Sequence, residues 1–254
     1  MTDIIRELAK MIDHSLLHPT MTDKDLEEGC AIAVQYDTAS VCIKPYAVKQ
    51  AAEWLKDSSV LVGTVIGFPH GSPTTEIKVA ETRKACEDGA VEIDMVVNIG
   101  KVLSGDWNYV RDEIAAVNAE ALKHRAIVKV IFENDFLENG QKIKLCEICS
   151  AIPVAFVKTS TGYGFVKGPD GKHFTLGATM EDLKLMRAHS TPNVQVKAAG
   201  GVRTLDDMLR VRETGVTRVG ATATVAILEE AKKRFGSGSN YDFSKKENSN
   251  DSGY

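Results

Sequence analysis

Short apolar, β-branched runs alternate with longer stretches of helical periodicity from one end of the chain to the other. The runs fall at 11–14, 39–43, 61–67, 91–97, 126–132, 154–159, 194–198 and 217–221, the first being the weakest. Most read as continuously apolar, as strands covered on both faces do. The stretches between them open with helix-start signals. Thr22 with Asp25, Thr179 with Asp182, and Thr204 with Asp207 have the spacing of capping boxes. Ser72-Pro73 predicts an N-cap followed by a proline in the first turn. Strand, short turn and helix in steady alternation predict an α/β protein, a single-domain (β/α)8 TIM barrel over residues 1–235. A doubly wound open sheet is the competing architecture, but the first strand lacks a GxGxxG turn. From Gly236 the chain turns to Gly, Ser, Asn and Lys, so 236–254 is expected to be a polar, mobile tail.

Composition changes this picture little. A length of 254 residues suits one large domain or two small ones. A net charge of −4 gives no reason to expect a nucleic-acid partner. No apolar stretch is long enough to span a membrane, and the start lacks the pattern of a signal peptide, so a cytoplasmic protein is expected. Five scattered cysteines fit a reduced compartment. Cys146 and Cys149 form a CxxC inside the helical run GQKIKLCEIC, and helix packing accounts for them.

Candidate chemistry concentrates in two segments of one design. VAFVKTSTG puts Lys158 at the mouth of an apolar strand, ahead of a hydroxyl- and glycine-rich turn, and VQVKAAGGVRT does the same with Lys197. A lysine in a buried strand is costly unless its charge is used or suppressed. Two on neighbouring strands make each other easier to deprotonate, and a neutral amine attacks carbonyls to form a Schiff base. Polar residues at the predicted strand ends are Asp13, Cys42, Asp94, Lys129, Glu133, Lys158, Thr159, Thr161, Lys197 and Thr222. Any one alone is equally well a structural ion pair. Two lysines with an aspartate point to function, since burial without function is cheaper with apolar residues. Gly162, Gly200, Gly201 and Gly220 follow strands six to eight, where barrels commonly build a phosphate site from backbone N–H groups. The blander account is that they permit tight turns. His14 and His18 stand four apart, but Pro19 follows and no HExxH is present, so neither a metal nor another cofactor is expected.

These residues also carry a resemblance. IDHSLLHP at 12–19, GFPHG at 67–71, GAVEIDMVVNIG at 89–100, VKTSTG at 157–162, KAAGGVRT at 197–204 and VGAT at 219–222 resemble the deoxyribose-phosphate aldolases, class I aldolases on a (β/α)8 barrel. The resemblance runs from about residue 12 to 228. It implies that Lys158 forms the Schiff base, that Lys197 lowers its pKa, and that Asp94 belongs to the proton relay. It further implies reversible cleavage of 2-deoxy-D-ribose 5-phosphate to acetaldehyde and D-glyceraldehyde 3-phosphate, in deoxyribose phosphate catabolism. On that reading Asp13 and Thr161 orient sugar hydroxyls, and the phosphate rests against Gly162, Gly200, Gly201, Gly220 and Thr222.

Three features depart from the family pattern. The loop GYGFVKGPDGKHFTLGATMED after strand six is longer than usual, His18 stands where a lysine often follows the paired leucines, and Tyr163 replaces a lysine found in some relatives. The rivals are a metal-dependent phosphosugar enzyme, which needs a carboxylate–histidine cluster, and a non-catalytic sugar-phosphate binding barrel, which needs no suppressed amine. The partners implied are small phosphosugar and aldehyde substrates. Assembly is left open, a homodimer being one option. The tail ends in Tyr254, whose hydroxyl could reach a phosphate or a proton relay; a terminus without function is the favoured reading.

Overall fold

The computed structural model describes residues 3–236. Strands β1 (Ile12–Leu16), β2 (Ser40–Ile43), β3 (Leu61–Ile66), β4 (Glu92–Val96), β5 (Ile127–Ile131), β6 (Phe156–Lys158), β9 (Gln195–Ala199) and β10 (Arg218–Ala221) pair in parallel and close into a barrel, β10 returning to β1. The pair missing from that series, β7 (Val166–Lys167) and β8 (His173–Phe174), forms an antiparallel hairpin inside the long loop after β6. Around the barrel run α2 (Asp23–Gln35), α3 (Val48–Leu55), α4 (Thr75–Glu87), α6 (Trp107–Lys123), α7 (Asn139–Ala151), α8 (Met180–His189), α9 (Leu205–Glu213) and α10 (Thr224–Phe235). Helix α1 (Asp3–Ala9) precedes β1, and the short α5 (Ile99–Leu103) precedes α6. Among the described residues no helix is long and apolar enough to cross a membrane. The tail and Tyr254 lie outside the described residues.

The strands alternate more strictly than their apolar appearance predicts. Residues facing the helices belong to the apolar core: Val41 and Ile43 on β2, Ile93 and Met95 on β4, Val128 and Val130 on β5, Val157 on β6, Val196 and Ala198 on β9. The residues between them turn inward, and several are charged: Glu92, Asp94, Lys129, Lys158, Lys197 and Arg218. The core of this barrel is therefore a shell between strands and helices, wrapped around an ionic interior.

A buried ion pair between two of the helices anchors the C-terminal end of β4. Lys78 on α4 donates to Glu113 on α6 at 2.8 Å and to the carbonyl of Val96, the last residue of β4, also at 2.8 Å. Glu113 accepts in turn from the backbone N–H of Asn98. Both side chains are fully buried.

Several local expectations are revised. Strand β1 begins at Ile12 and runs to Leu16, which puts Asp13 and His14 inside it rather than at its end. Lys197, Asp94 and Lys129 are each third in a five-residue strand, and only Lys158 is terminal. Helix α4 starts at Thr75 with Thr74 as N-cap, because the first helical bond runs from Lys78 N–H to the Thr74 carbonyl; Ser72-Pro73 lies ahead of it. Thr22 and Thr204 head full capping boxes. Thr179 caps α8, but Asp182 does not return the bond, since its carboxylate is taken by Lys142 at 2.6 Å. Cys146 and Cys149 are buried free thiols on α7, packed in the core.

Candidate active site

Strand register sets the site. Lys158 on β6 pairs with Lys197 on β9, which pairs with Arg218 on β10, while Asp94 on β4 pairs with Lys129 on β5. Inward-facing residues from these positions meet as one cluster. Oδ2 of Asp94 accepts from Lys158 Nζ and from Lys197 Nζ, each at 2.7 Å. Lys197 also reaches Oδ2 of Asp13 at 2.5 Å. Lys129 bonds to Asp13 at 2.6 Å and Glu92 at 2.5 Å, with Oδ1 of Asp94 3.5 Å away. Below them Arg218 spans Asp13 at 2.5 Å and Glu92 at 3.0 Å, and Ser40 donates to Asp13 at 2.6 Å.

The cations are not equivalent. For Lys158, burial pushes the amine pKa down, Asp94 pulls it back, and neighbouring Lys197 adds to the fall; the result lies below the ordinary lysine value. For Lys197 burial also works against the charge, but Asp13 and Asp94 together outweigh it and raise the pKa. Asp94 is burdened by burial too, yet Lys129, Lys158 and Lys197 hold its carboxyl well below the usual range. At neutral pH Asp94 is a carboxylate, Lys197 a firm ammonium, and Lys158 the amine readiest to lose its proton.

Lys158 opens onto a cavity of about 380 Å³ at the C-terminal end of the strands. Asp13, Cys42, Lys158 and Lys197 line its floor. Gly200 and Gly201, at φ +84° and +90°, form its rim with Gly220 and Thr222. These φ values are the reason for glycine at both positions. A methyl at Gly200 would also stand 3.0 Å from Cα of Gly177 in the loop after β8. Thr161 and Gly162 form the opposite wall. Thr161 is fixed there by Glu133, which accepts from both its N–H and its hydroxyl.

A protein-family model for the DeoC/LacD family aldolases matches residues 8–230. The chain belongs to that family. It is an aldolase, and its relatives agree with the assignment. The deoxyribose-phosphate aldolase of Rhodopirellula baltica is 53% identical over 232 residues, covering 91% of each chain. That of Thermococcus gammatolerans is 46% identical over 228 residues, 89% of this chain and 97% of its own. Among solved structures, the tetrameric deoxyribose phosphate aldolase of Aeropyrum pernix superposes with a TM-score of 0.80 at 27% identity, over 91% of this chain and 93% of its own.

Within this aldolase the predicted residues come together at one end of the barrel. Asp13, Thr161, Gly162, Gly200, Gly201, Gly220 and Thr222 all line the cavity with Lys158 and Lys197, and Asp94 lies just beneath, in contact with both lysines. Asp13 sits deepest, fully buried, with its oxygens already engaged by three cations and Ser40. His14 and His18 do not converge: His14 Nδ1 bonds Thr224 at 2.7 Å, and His18 Nδ1 bonds Thr20 at 2.8 Å. Glu92 and Arg218 were not legible as part of the site, because a charge near the start of a strand reads as a solvated end. The available signal was alternation, Glu92 lying two before Asp94 and therefore on the same face. Tyr163 and Arg203 also line the cavity. Tyr163 secures the long loop, its hydroxyl donating to the Leu17 carbonyl at 3.1 Å and its ring meeting Phe68 edge-on. Asp135 holds the loop's far end through the N–H groups of Leu176 and Gly177.

Proposed function

We propose that this aldolase reversibly cleaves 2-deoxy-D-ribose 5-phosphate to acetaldehyde and D-glyceraldehyde 3-phosphate through a Schiff base on Lys158, in cytoplasmic deoxyribose phosphate catabolism. The observation that carries the reading is the position of Lys158. It is a buried amine with one carboxylate contact, shared with a second lysine, at the floor of a cavity rimmed by two glycines. The names of the relatives at 53% and 46% identity supply the substrate.

In the cleavage direction, neutral Lys158 Nζ adds to the aldehyde carbon C1 of the open-chain sugar, giving a carbinolamine that loses water to an iminium. Removal of the proton from the C3 hydroxyl lets the C2–C3 bond break. Its electron pair flows into the iminium, and glyceraldehyde 3-phosphate leaves behind an enamine. Protonation at C2 and addition of water release acetaldehyde and restore the amine. Asp94, within reach of Lys158, relays these protons through water, and Lys197 keeps Asp94 ionised. Backbone N–H groups at Gly200 and Gly201, with Gly220 and Thr222 beside them, receive the phosphate, while Thr161 and Gly162 on the facing wall order the hydroxyl end and Asp13 acts from beneath through Lys197.

Borohydride reduction in the presence of acetaldehyde tests the chemistry. Irreversible inactivation with an ethyl group on Lys158, unaffected by chelator, is expected. Labelling at another residue, or activity lost in chelator and restored by zinc, would overturn it.

A further inference from the structure

The barrel interior holds an odd balance of charge. Three carboxylates, Asp13, Glu92 and Asp94, are joined by short contacts to four cations, Lys129, Lys158, Lys197 and Arg218. Lys129, Lys197 and Arg218 each touch at least two carboxylates. Lys158 touches one, Asp94, through an oxygen that Lys197 also uses. A buried cluster strongly disfavours an uncompensated charge. The cation that gives up its proton is then the one with fewest partners.

We propose that Glu92 and Arg218, neither of which reaches the cavity, are positioning residues that complete this charge count and so leave Lys158 as the amine without a carboxylate of its own. Arg218 occupies Oδ1 of Asp13 and both oxygens of Glu92, and Lys129 takes the remaining oxygen of Asp13 with one of Glu92. With those acceptors engaged from below, Lys197 bridges Asp13 to Asp94, and among the described residues the second oxygen of Asp94 has no hydrogen-bond partner, Lys129 lying 3.5 Å away. The groups around Lys158 are Asp94 on β4, Lys197 on β9, Cys42 on β2, and more distantly Lys129 on β5, Asp13 on β1 and Glu133 after β5. Cys42 stays a thiol, burial pushing its pKa up to about 11. Glu133 bonds to Thr161, and among the described residues no ion pair joins it to the cluster.

This inference rests on Lys158 being the Schiff-base residue. It is tested by the pH dependence of kcat/KM for deoxyribose 5-phosphate in Glu92→Gln, Arg218→Gln and the double variant, with a separate sample of each, and of the parent, trapped with acetaldehyde and borohydride. Glu92→Gln leaves an excess positive charge and should move the limb assigned to Lys158 to lower pH by about one unit. Arg218→Gln leaves an excess negative charge and should move it a similar distance up. The double variant, neutral again, should return towards the parent, as should Arg218→Lys. Merely structural roles would lower activity without opposite shifts or their cancellation. Loss of parent labelling at Lys158 would overturn the Schiff-base reading and this inference with it. Labelling at Lys158 with a limb that stays put, or moves the same way in both single variants, would overturn this inference alone. If a glutamine variant fails to fold, Glu92→Asp and Arg218→Lys decide, since the inference requires both charge-preserving variants to keep the parent limb within about 0.3 units.

Discussion

Lys158 and Lys197 occupy paired positions on adjacent strands and donate to the same oxygen of Asp94, each at 2.7 Å. One carboxylate oxygen thus serves two lysine amines in a buried interior. Both cannot be fully compensated. Asp13 breaks the tie, since it touches Lys197 and does not contact Lys158. The two lysines are thus distinguished by a residue on another strand.

Lys158→Arg should be as inactive as Lys158→Ala, losing essentially all turnover, because a guanidinium does not deprotonate at working pH. Retro-aldol assays on both variants, with circular dichroism to verify folding, check this. Measurable turnover in the arginine variant would exclude the amine as nucleophile.

Asp94→Asn and Lys197→Leu should separate two roles. Asparagine at 94 removes the relay, so turnover should fall about 10²- to 10⁴-fold while KM changes little. Without its carboxylate Lys158 should still be trapped by borohydride. Leucine at 197 removes a neighbouring positive charge and should shift imine formation to higher pH. Stopped-flow trapping across pH 6–10 distinguishes the two.

The rim glycines should report on the phosphate. Gly201→Val introduces a β-branched residue at φ +90° beside the cavity and should raise KM for the phosphorylated sugar at least about tenfold more than for free deoxyribose, one decade corresponding to about 1.4 kcal/mol. Gly200→Ala meets Gly177 at 3.0 Å and should chiefly lower thermal stability. Steady-state kinetics on both sugars and a melting curve test the pair.

Stability should fall in acid on account of the barrel interior. Despite burial, surrounding cations hold the Asp13 and Asp94 carboxyls well below 3.8, their unfolded value. Below that value the unfolded chain binds more protons than the folded one. Their contribution is therefore fully present above pH 3.8 and is withdrawn as pH falls towards the folded values. Urea titrations between pH 3 and 7 should show a decline beginning near pH 4, and a flat profile down to pH 3 would count against the ionic interior.

By itself the sequence determined the eight-fold βα order, the two lysine segments and the glycine turns, because these are local. A strand, a capped helix or a turn needing φ > 0 is specified by residues a few positions apart. The charges at 92 and 94, 129, 158, 197 and 218 were all visible there, but not which of them would meet. Only closure of the barrel decided that, since register between strands brings Asp94 to Lys197, 103 positions away, and Arg218 to Asp13, 205 away. Tertiary structure likewise decided that the strands are apolar towards the helices and ionic within, and that the loop after β6 folds into a hairpin fastened by Asp135 and Tyr163. Electrostatic coupling acts through space, and the protonation of Lys158 is set by neighbours that the linear chain keeps far apart.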